Sequence, residues 1–302
     1  MRGPLRMPLV TDMLGPPSVT ATRLRASGPP DLRLVMINRA ENVALVRQTL
    51  NGLGTALHLD EGLLDEMKTA VSEACNNVVL HAYEGTEGPL EVYVCPDRQS
   101  VTVVVRDQGT GIQPRPAAVE QGMQGVGLSL IQALTDRVEF NGGAGEGTEV
   151  RMTFSSEREL SVEGVDGEED RYADQVDGPT GEVVLSVCGL LIGPVLASVV
   201  AMLAARAGFT MERLADAQIV ADTVAAHGVI GFTGRHIHLA LDTTKEGRLL
   251  MRLAPLAPGG SERVVQASAV GGLDPLLERL PTELDVEPAG EAEEMRIALT
   301  GV

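Results

Sequence analysis

Ser72-Glu73-Ala74-Cys75-Asn76-Asn77 sets an acid and an amide one helical turn apart, so that in a helix both address the same side. The Asn77 carbonyl oxygen is a hard donor suited to Mg2+, which takes oxygen ligands, keeps several waters and bridges to phosphates. A carboxylate one turn away, Glu73, can orient or deprotonate an attacking hydroxyl or water. Downstream, Val101–Arg106 runs into Asp107-Gln108-Gly109-Thr110-Gly111, an acid at a strand end followed by a glycine turn. Asp107 can accept a hydrogen bond from an exocyclic amine such as adenine N6, and Gly109 and Gly111 let the main chain approach a ligand closely. Gly122-Met-Gln-Gly125-Val126-Gly127-Leu128 then opens an apolar helix, whose first N–H groups form an anion site with phosphate as the natural occupant. This stretch has no G-K-[ST] and sits in no βαβ unit, so it is neither a Walker A loop nor a dinucleotide fingerprint. Residues 112–124, with Pro114, Pro116 and Gly122, have the composition of a lid able to close over phosphates. Gly145-Glu-Gly147-Thr148 comes last, and the Thr148 hydroxyl can complete a base pocket.

These groups need a scaffold. Glu41–Leu53 and Asp60–His81 carry apolar residues at helical spacing, among them Leu63, Leu64, Met67, Val71, Ala74, Val78 and Val79. Leu90–Cys95 and Ser100–Arg106 are β-branched runs on either side of Pro-Asp-Arg-Gln, the pattern of a hairpin. Gly127–Thr135 predicts a helix, and Arg137–Asn141 and Thr148–Phe154 predict strands. The order is that of an α+β domain, a two-layer sandwich of helices on a mixed, largely antiparallel sheet. Residues 1–30, with six prolines, cannot pack a core and predict a disordered tail, while residues 156–181, dense in acids and turn formers, predict a solvated linker. The chain thus divides into a tail (1–30), a first module (31–155), an acidic linker (156–181) and a second module (182–302).

The second module repeats the pattern. Val195–Ala207 and Met211–His227 are helical, His236–Leu241, Gly247–Leu253 and Met295–Thr300 are strand-like, and Glu294–Leu299 (EMRIAL) parallels Glu149–Phe154 (EVRMTF). The fold is therefore expected to be duplicated. Aligned on the motif helix, Asp222 stands opposite Glu73, but Ala226 falls at the Asn77 position; aligned on Arg106, Leu253 replaces Asp107 and Pro255 replaces Gly109. The copy reads as degenerate and nucleotide-free, serving assembly, docking or regulation. His236 and His238 alternate on one strand face, which predicts a sheet-surface pair without a third metal ligand.

A net charge of −18 over 302 residues argues against nucleic acid, whose affinity comes from Lys and Arg displacing counterions. It suits docking of a protein with a basic patch. Cys75, Cys95 and Cys188 have no disulfide or zinc spacing and predict reduced thiols. The N-terminus lacks a signal-peptide core, and the longest apolar run, Val183–Ala207, is broken by Gly189, Gly193, Pro194 and Ser198. The expectation is a cytoplasmic protein that engages no membrane.

The ordered set E-A-C-N-N, D-Q-G-T-G, G-V-G-L and G-E-G-T resembles the ATP-binding fold shared by histidine kinases, Hsp90-type chaperones, type II topoisomerases and MutL. Within it, VSEACNNVVLHAYEG is most similar to bacterial anti-sigma factor serine kinases. The resemblance implies ATP and Mg2+ as cofactors, Glu73 as general base, Asn77 as metal ligand and Asp107 as the adenine contact. It implies nucleotide contacts also from Gly109, Gly111, Gly125, Val126, Gly127, Leu128 and Thr148. Glu41–Arg47 is similar to the first helix of those kinases, which implies Arg47 as the contact to a protein partner, an anti-anti-sigma or sigma factor. Two functions follow: a serine/threonine kinase acting on that partner, or a factor that sequesters the partner in response to ATP without transferring phosphate. A two-component histidine kinase would need a phosphoacceptor helical hairpin ahead of the ATP module, where only the proline-rich stretch stands. Self-association into a homodimer is left open.

Overall fold

Leu32–Ile37 (LRLVMI) is a run without polar alternation, and such a run becomes a strand buried on both faces only where both of its edges are also paired. A computed structural model of the chain satisfies this demand. It describes residues 30–111, 126–143, 145–160, 182–232, 234, 236–244 and 247–301, with Val126 by its backbone alone. The expected tail through residue 29, the lid at 112–124, Gly125 and residues 161–181 of the linker lie outside the described residues.

In chain order the elements are β1 (Leu32–Ile37), α1 (Ala40–Leu57), α2 (Glu61–Asn77) continuing as one wide π-type turn (Val78–Ala82), β2 (Pro89–Asp97), β3 (Ser100–Asp107), α3 (Val126–Leu134), β4 (Arg137–Gly142) and β5 (Thr148–Ser155). There follow β6 (Val183–Cys188), α4 (Ile192–Arg206), α5 (Met211–His227), β7 (His236–Thr244), β8 (Arg248–Leu256), α6 (Gly260–Ala267), α7 (Leu276–Arg279), β9 (Glu283–Ala289) and β10 (Ala292–Thr300). All strands join one ten-stranded sheet in the order β4-β5-β3-β2-β1-β6-β7-β8-β10-β9. Every pairing among the described strands is antiparallel, so the expected mixed character is absent from them.

The helices cover one face. Leu32, Leu34 and Met36 of β1, Leu90, Val92 and Val94 of β2, and the alternate residues of β3, β5, β6, β7, β8 and β10 share a single apolar core with the helices of both halves. Capping follows the sequence: Asp60 accepts the Gly62 N–H at 2.9 Å to start α2, and Thr210 accepts the Arg213 N–H at 3.3 Å to start α5. The hairpin closes as expected, Asp97 pairing with Ser100 around Arg98 and Gln99. The apolar window Gly189–Arg206 is long and apolar enough to cross a membrane, yet in this fold Val195, Leu196, Val199, Val200 and Leu203 of α4 are buried in the common core.

The halves meet at a seam. β1 pairs with β6, Leu34 opposite Leu185, and α1 lies beside α4. The helices run antiparallel: a Cβ on Gly52, late in α1, would fall 2.5 Å from the carbonyl oxygen of Pro194, early in α4, while Arg206 at the end of α4 reaches back to Asn42 (3.2 Å) and Glu41 (3.3 Å) at the start of α1. Each of these charges complements a helix dipole. Below the seam, the Cys188 thiol donates to Asp31 at 3.1 Å. His236 and His238 do share a face, but His236 is buried, its Nε2 lying 3.1 Å from the Pro30 carbonyl, because the chain entering β1 covers it. Among the described residues no cluster of three candidate metal ligands occurs.

Because backbone meets backbone at Gly52, nothing flexible can yield to a side chain there. Gly52→Ala is expected to lower stability by about 1–3 kcal/mol, the range for overpacking, read as a fall in Tm. Gly193→Ala, one residue from the contact but with open space at its Cβ, is expected to leave Tm unchanged.

Candidate functional site

α2 carries Glu73 and Asn77 on one side as expected, both half-buried. α3 starts against them: a Cβ on Gly127 would stand 3.1 Å from Glu73 Oε2 and 4.0 Å from Asn77 Oδ1. The first turn of α3 thus begins at a pair of side-chain oxygens, a combination able to hold a divalent cation beside a phosphate. Leu128 is exposed on α3; Val126 opens the helix and Gly125 lies outside the described residues.

The second part of the site is the turn after β3. Asp107 is 3 % exposed, and its Oδ1 accepts N–H bonds from Gly109 (2.8 Å) and Thr148 (3.2 Å). One carboxylate therefore fastens the D-x-G-x-G turn to the start of β5, bringing together Asp107, Gly109 and Thr148 from separate motifs. Burial lifts its pKa above the ordinary carboxylate value; the Gly109 and Thr148 N–H bonds, the Thr148 hydroxyl and Arg106 pull against it. Gly111 (φ +74°) and Gly147 (φ +75°) complete the cradle in left-handed backbone. Their Cβ positions would fall 2.0 Å from the Gly143 oxygen and 2.2 Å from the Asp107 oxygen, so only glycine fits.

The two parts are joined at the end of α2. The Ala82 carbonyl accepts the Thr110 N–H at 2.8 Å and lies 2.0 Å from where a Gly109 Cβ would be. Ala82 ends the wide turn that begins after Asn77, and wide turns of this kind are frequent at functional sites. Ala82 and Gly143 carry no motif signal in the sequence, while Gly147 lies in the G-E-G-T motif. Cys75, in the same motif helix, is buried, and burial pushes its thiol up to about 12, so it is an inert core residue. Arg47 is exposed on α1 and donates to the Ser72 hydroxyl at 3.2 Å, beside Glu73.

Among the described residues of the second half this arrangement does not recur. The sheet register shows that the two sequence matches disagree by two residues: Arg151 faces Val104, and Arg296 faces Arg252. Matching Arg151 to Arg296 therefore matches Asp107 to Pro255, whereas matching Arg106 to Arg252 matches it to Leu253. Neither residue is an acid. The N–H groups of Gly259 and Ser261, at the start of α6, are already taken by the Glu293 carboxylate at 2.6 and 3.1 Å, which holds Glu293 below its ordinary pKa.

Residues 36–154 match the model of the histidine kinase-like ATPase domain. The chain is 31% identical over 161 residues, 48% of its length and 94% of the relative's, to the serine-protein kinase RsbW of Halalkalibacterium halodurans. It is 32% identical over 136 residues to the protein of the same name from Bacillus pumilus, covering 40% of this chain and 83% of that one. To the anti-sigma F factor of Caldanaerobacter subterraneus subsp. tengcongensis it is 28% identical over 130 residues, 40% of this chain and 91% of the relative.

The raised Asp107 pKa carries a stability consequence. With the folded value above the unfolded one, the contribution of this group is fully present below the unfolded pKa and is lost as pH rises through the folded pKa. Asp107→Asn keeps an acceptor oxygen and removes the buried charge. Its Tm relative to the native chain is expected to rise between pH 4 and pH 7, measured without nucleotide; a fall over that interval would contradict the assignment.

Proposed function

The chain belongs to the histidine-kinase-like ATPases, in the group that contains the anti-sigma serine kinases, and on that premise we propose that its first half binds ATP and transfers the γ-phosphoryl group to a serine or threonine of a regulatory protein. The observation that carries this reading is the start of α3 against the Glu73 and Asn77 oxygens, with Gly127 leaving the space between them open. That donor set, one amide oxygen and one carboxylate beside helix N–H groups, fits Mg2+ on phosphate. Mg2+ when bound neutralises phosphate charge as transfer proceeds. Asn77 supplies the ligand oxygen, and Asp107 accepts from the adenine amino group. The N–H groups of Gly127 and its neighbours hold phosphate oxygens, and Thr148 closes the base pocket beside Asp107.

The transfer asks little covalent chemistry of the protein. The partner's hydroxyl oxygen bonds to the γ-phosphorus, its proton passes to the Glu73 carboxylate, and the bond to the β-phosphate oxygen breaks to release ADP. Arg47, exposed and anchored by Ser72 one residue from Glu73, is the docking residue for that partner, of the anti-anti-sigma or sigma type. The acidic charge of the chain fits a partner with a basic face. Residues 182–301 form a degenerate copy of 31–155. This reading is supported by the strand order, which runs β1-β2-β3-β5-β4 outward from the seam on one side and β6-β7-β8-β10-β9 on the other. We place the protein in the cytoplasm, where ATP and such partners reside.

The test is transfer of labelled γ-phosphate to candidate partners from the same genome, with calorimetry of nucleotide binding. One ATP per chain is expected. Glu73→Gln is expected to keep ATP affinity and lower transfer by about 10²–10⁴-fold, the usual contribution of a general base, and Asn77→Ala to abolish Mg2+-dependent binding. Partner binding that follows ATP but leaves no label, in the native chain, would instead select the sequestering function.

A further inference from the structure

Tyr83 follows Ala82 directly, and the two together hold the Asp107–Gly111 turn at Gln108 and Thr110. The Tyr83 hydroxyl accepts the Gln108 N–H at 2.8 Å and donates to the Pro89 carbonyl at 2.6 Å. It therefore grips the peptide between Asp107 and Gln108 while itself tied to the first residue of β2. Burial raises the phenol well above its usual range, so it stays protonated and able to donate. The ring is seated by Gly88, where any Cβ would meet it at 2.2 Å. Gly88 is in turn fixed to the end of β1, its N–H donating to Asn38 Oδ1 at 2.8 Å and its carbonyl accepting the Asn38 N–H at 2.9 Å. On the far side of the same peptide, the Gln108 side chain donates to Glu91 Oε1 at 3.0 Å. Glu91 is buried, accepts from the Tyr93 hydroxyl and faces Arg33 of β1 at 3.6 Å.

None of these groups belongs to the ligand-facing set, and all of them converge on the peptide that follows Asp107. We propose that Tyr83 is a positioning residue of the nucleotide site, its hydroxyl latching the 107–108 peptide so that the Asp107 carboxylate is held at the angle that selects adenine. The proposal rests on the reading of Asp107 as the base contact. It assigns Tyr83 a role in nucleobase selectivity, distinct from the metal and phosphate part of the site. The latch acts through hydrogen bonds to backbone, so the ring alone, as phenylalanine, keeps the packing on Gly88 and loses the grip.

Calorimetry with ATP and with GTP on the full chain and on Tyr83→Phe tests this. The Kd for ATP is expected to rise about three- to tenfold, the worth of one hydrogen bond, with the preference for ATP over GTP falling by a similar factor. Amide exchange of Gln108 is expected to speed up in the variant, and KM for ATP to rise without change in kcat. A lowered Tm with unchanged ATP affinity and unchanged ATP:GTP preference overturns the proposal and makes Tyr83 a packing residue. Equal loss for ATP and GTP overturns it likewise. Should the native chain bind no ATP, the site reading itself fails and takes the latch with it, an outcome visible before any variant is compared.

Discussion

β1 must be paired on both edges. Its side chains are almost all buried, Leu32, Leu34 and Met36 under the helices and Val35 and Ile37 on the opposite face, so an open edge would leave a row of backbone donors and acceptors beside apolar surface. β2 takes one edge and β6 the other. From this follow the single ten-stranded sheet, the single apolar core and the antiparallel contact of α1 with α4. The free edges are displaced to β4 and β9, the outermost strands of the sheet. β9 carries Glu283, Asp285, Glu287 and Pro288, and charge together with a proline that cannot donate is what keeps an outermost strand from recruiting another chain.

The site depends on the same strand at one remove. Asn38, directly after β1, fixes Gly88; Gly88 seats Tyr83; Ala82 and Tyr83 hold the turn that carries Asp107. Asn77 and Glu73 lie one to two turns back along the same helical segment. Glu73, Asn77 and the turn that carries Asp107 are thus held to one run of chain rather than to two loops, which is what a site must have to keep its geometry within fractions of an ångström. The buried Asp107 carboxylate carries a desolvation cost, offset in part by the Gly109 and Thr148 N–H bonds with which it ties the turn to the start of β5.

Much of this was legible in the sequence because the motifs sit on strongly patterned elements. The motif helix, the β2–β3 hairpin and the β4 and β5 strands lie within a few residues of their expected bounds, since half-buried elements print their period in the chain. β1 and β6 are not legible in the sequence: a strand buried on both faces shows a continuous apolar run, which period alone cannot tell from a helix, and Val183–Cys188 merges into the apolar run of α4. β9 escaped for the opposite reason, being acidic and almost wholly exposed. Tyr83 and Ala82 act through a hydroxyl on backbone and through a carbonyl, and neither function leaves a residue-type signature. Likewise, His236 looked like a surface residue because its cover, Pro30, is remote in sequence.

The two halves share a strand order but differ in how their helix starts are satisfied. Both halves carry a strand at the seam, two helices and a hairpin in corresponding order. What differs lies at one end of the sheet. Where α3 of the first half starts against the Glu73 and Asn77 oxygens, the second half fills the start of α6 with its own Glu293. Where the first half buries an acid after β3, the second has Leu253 and Pro255. An internal carboxylate on helix N–H groups satisfies the same electrostatics that a phosphate would without a ligand being present, so the second half completes itself as a structural element. It also supplies β6 to β1 and Pro194 to Gly52. The half without the motifs thus completes the sheet on which the half with them is built.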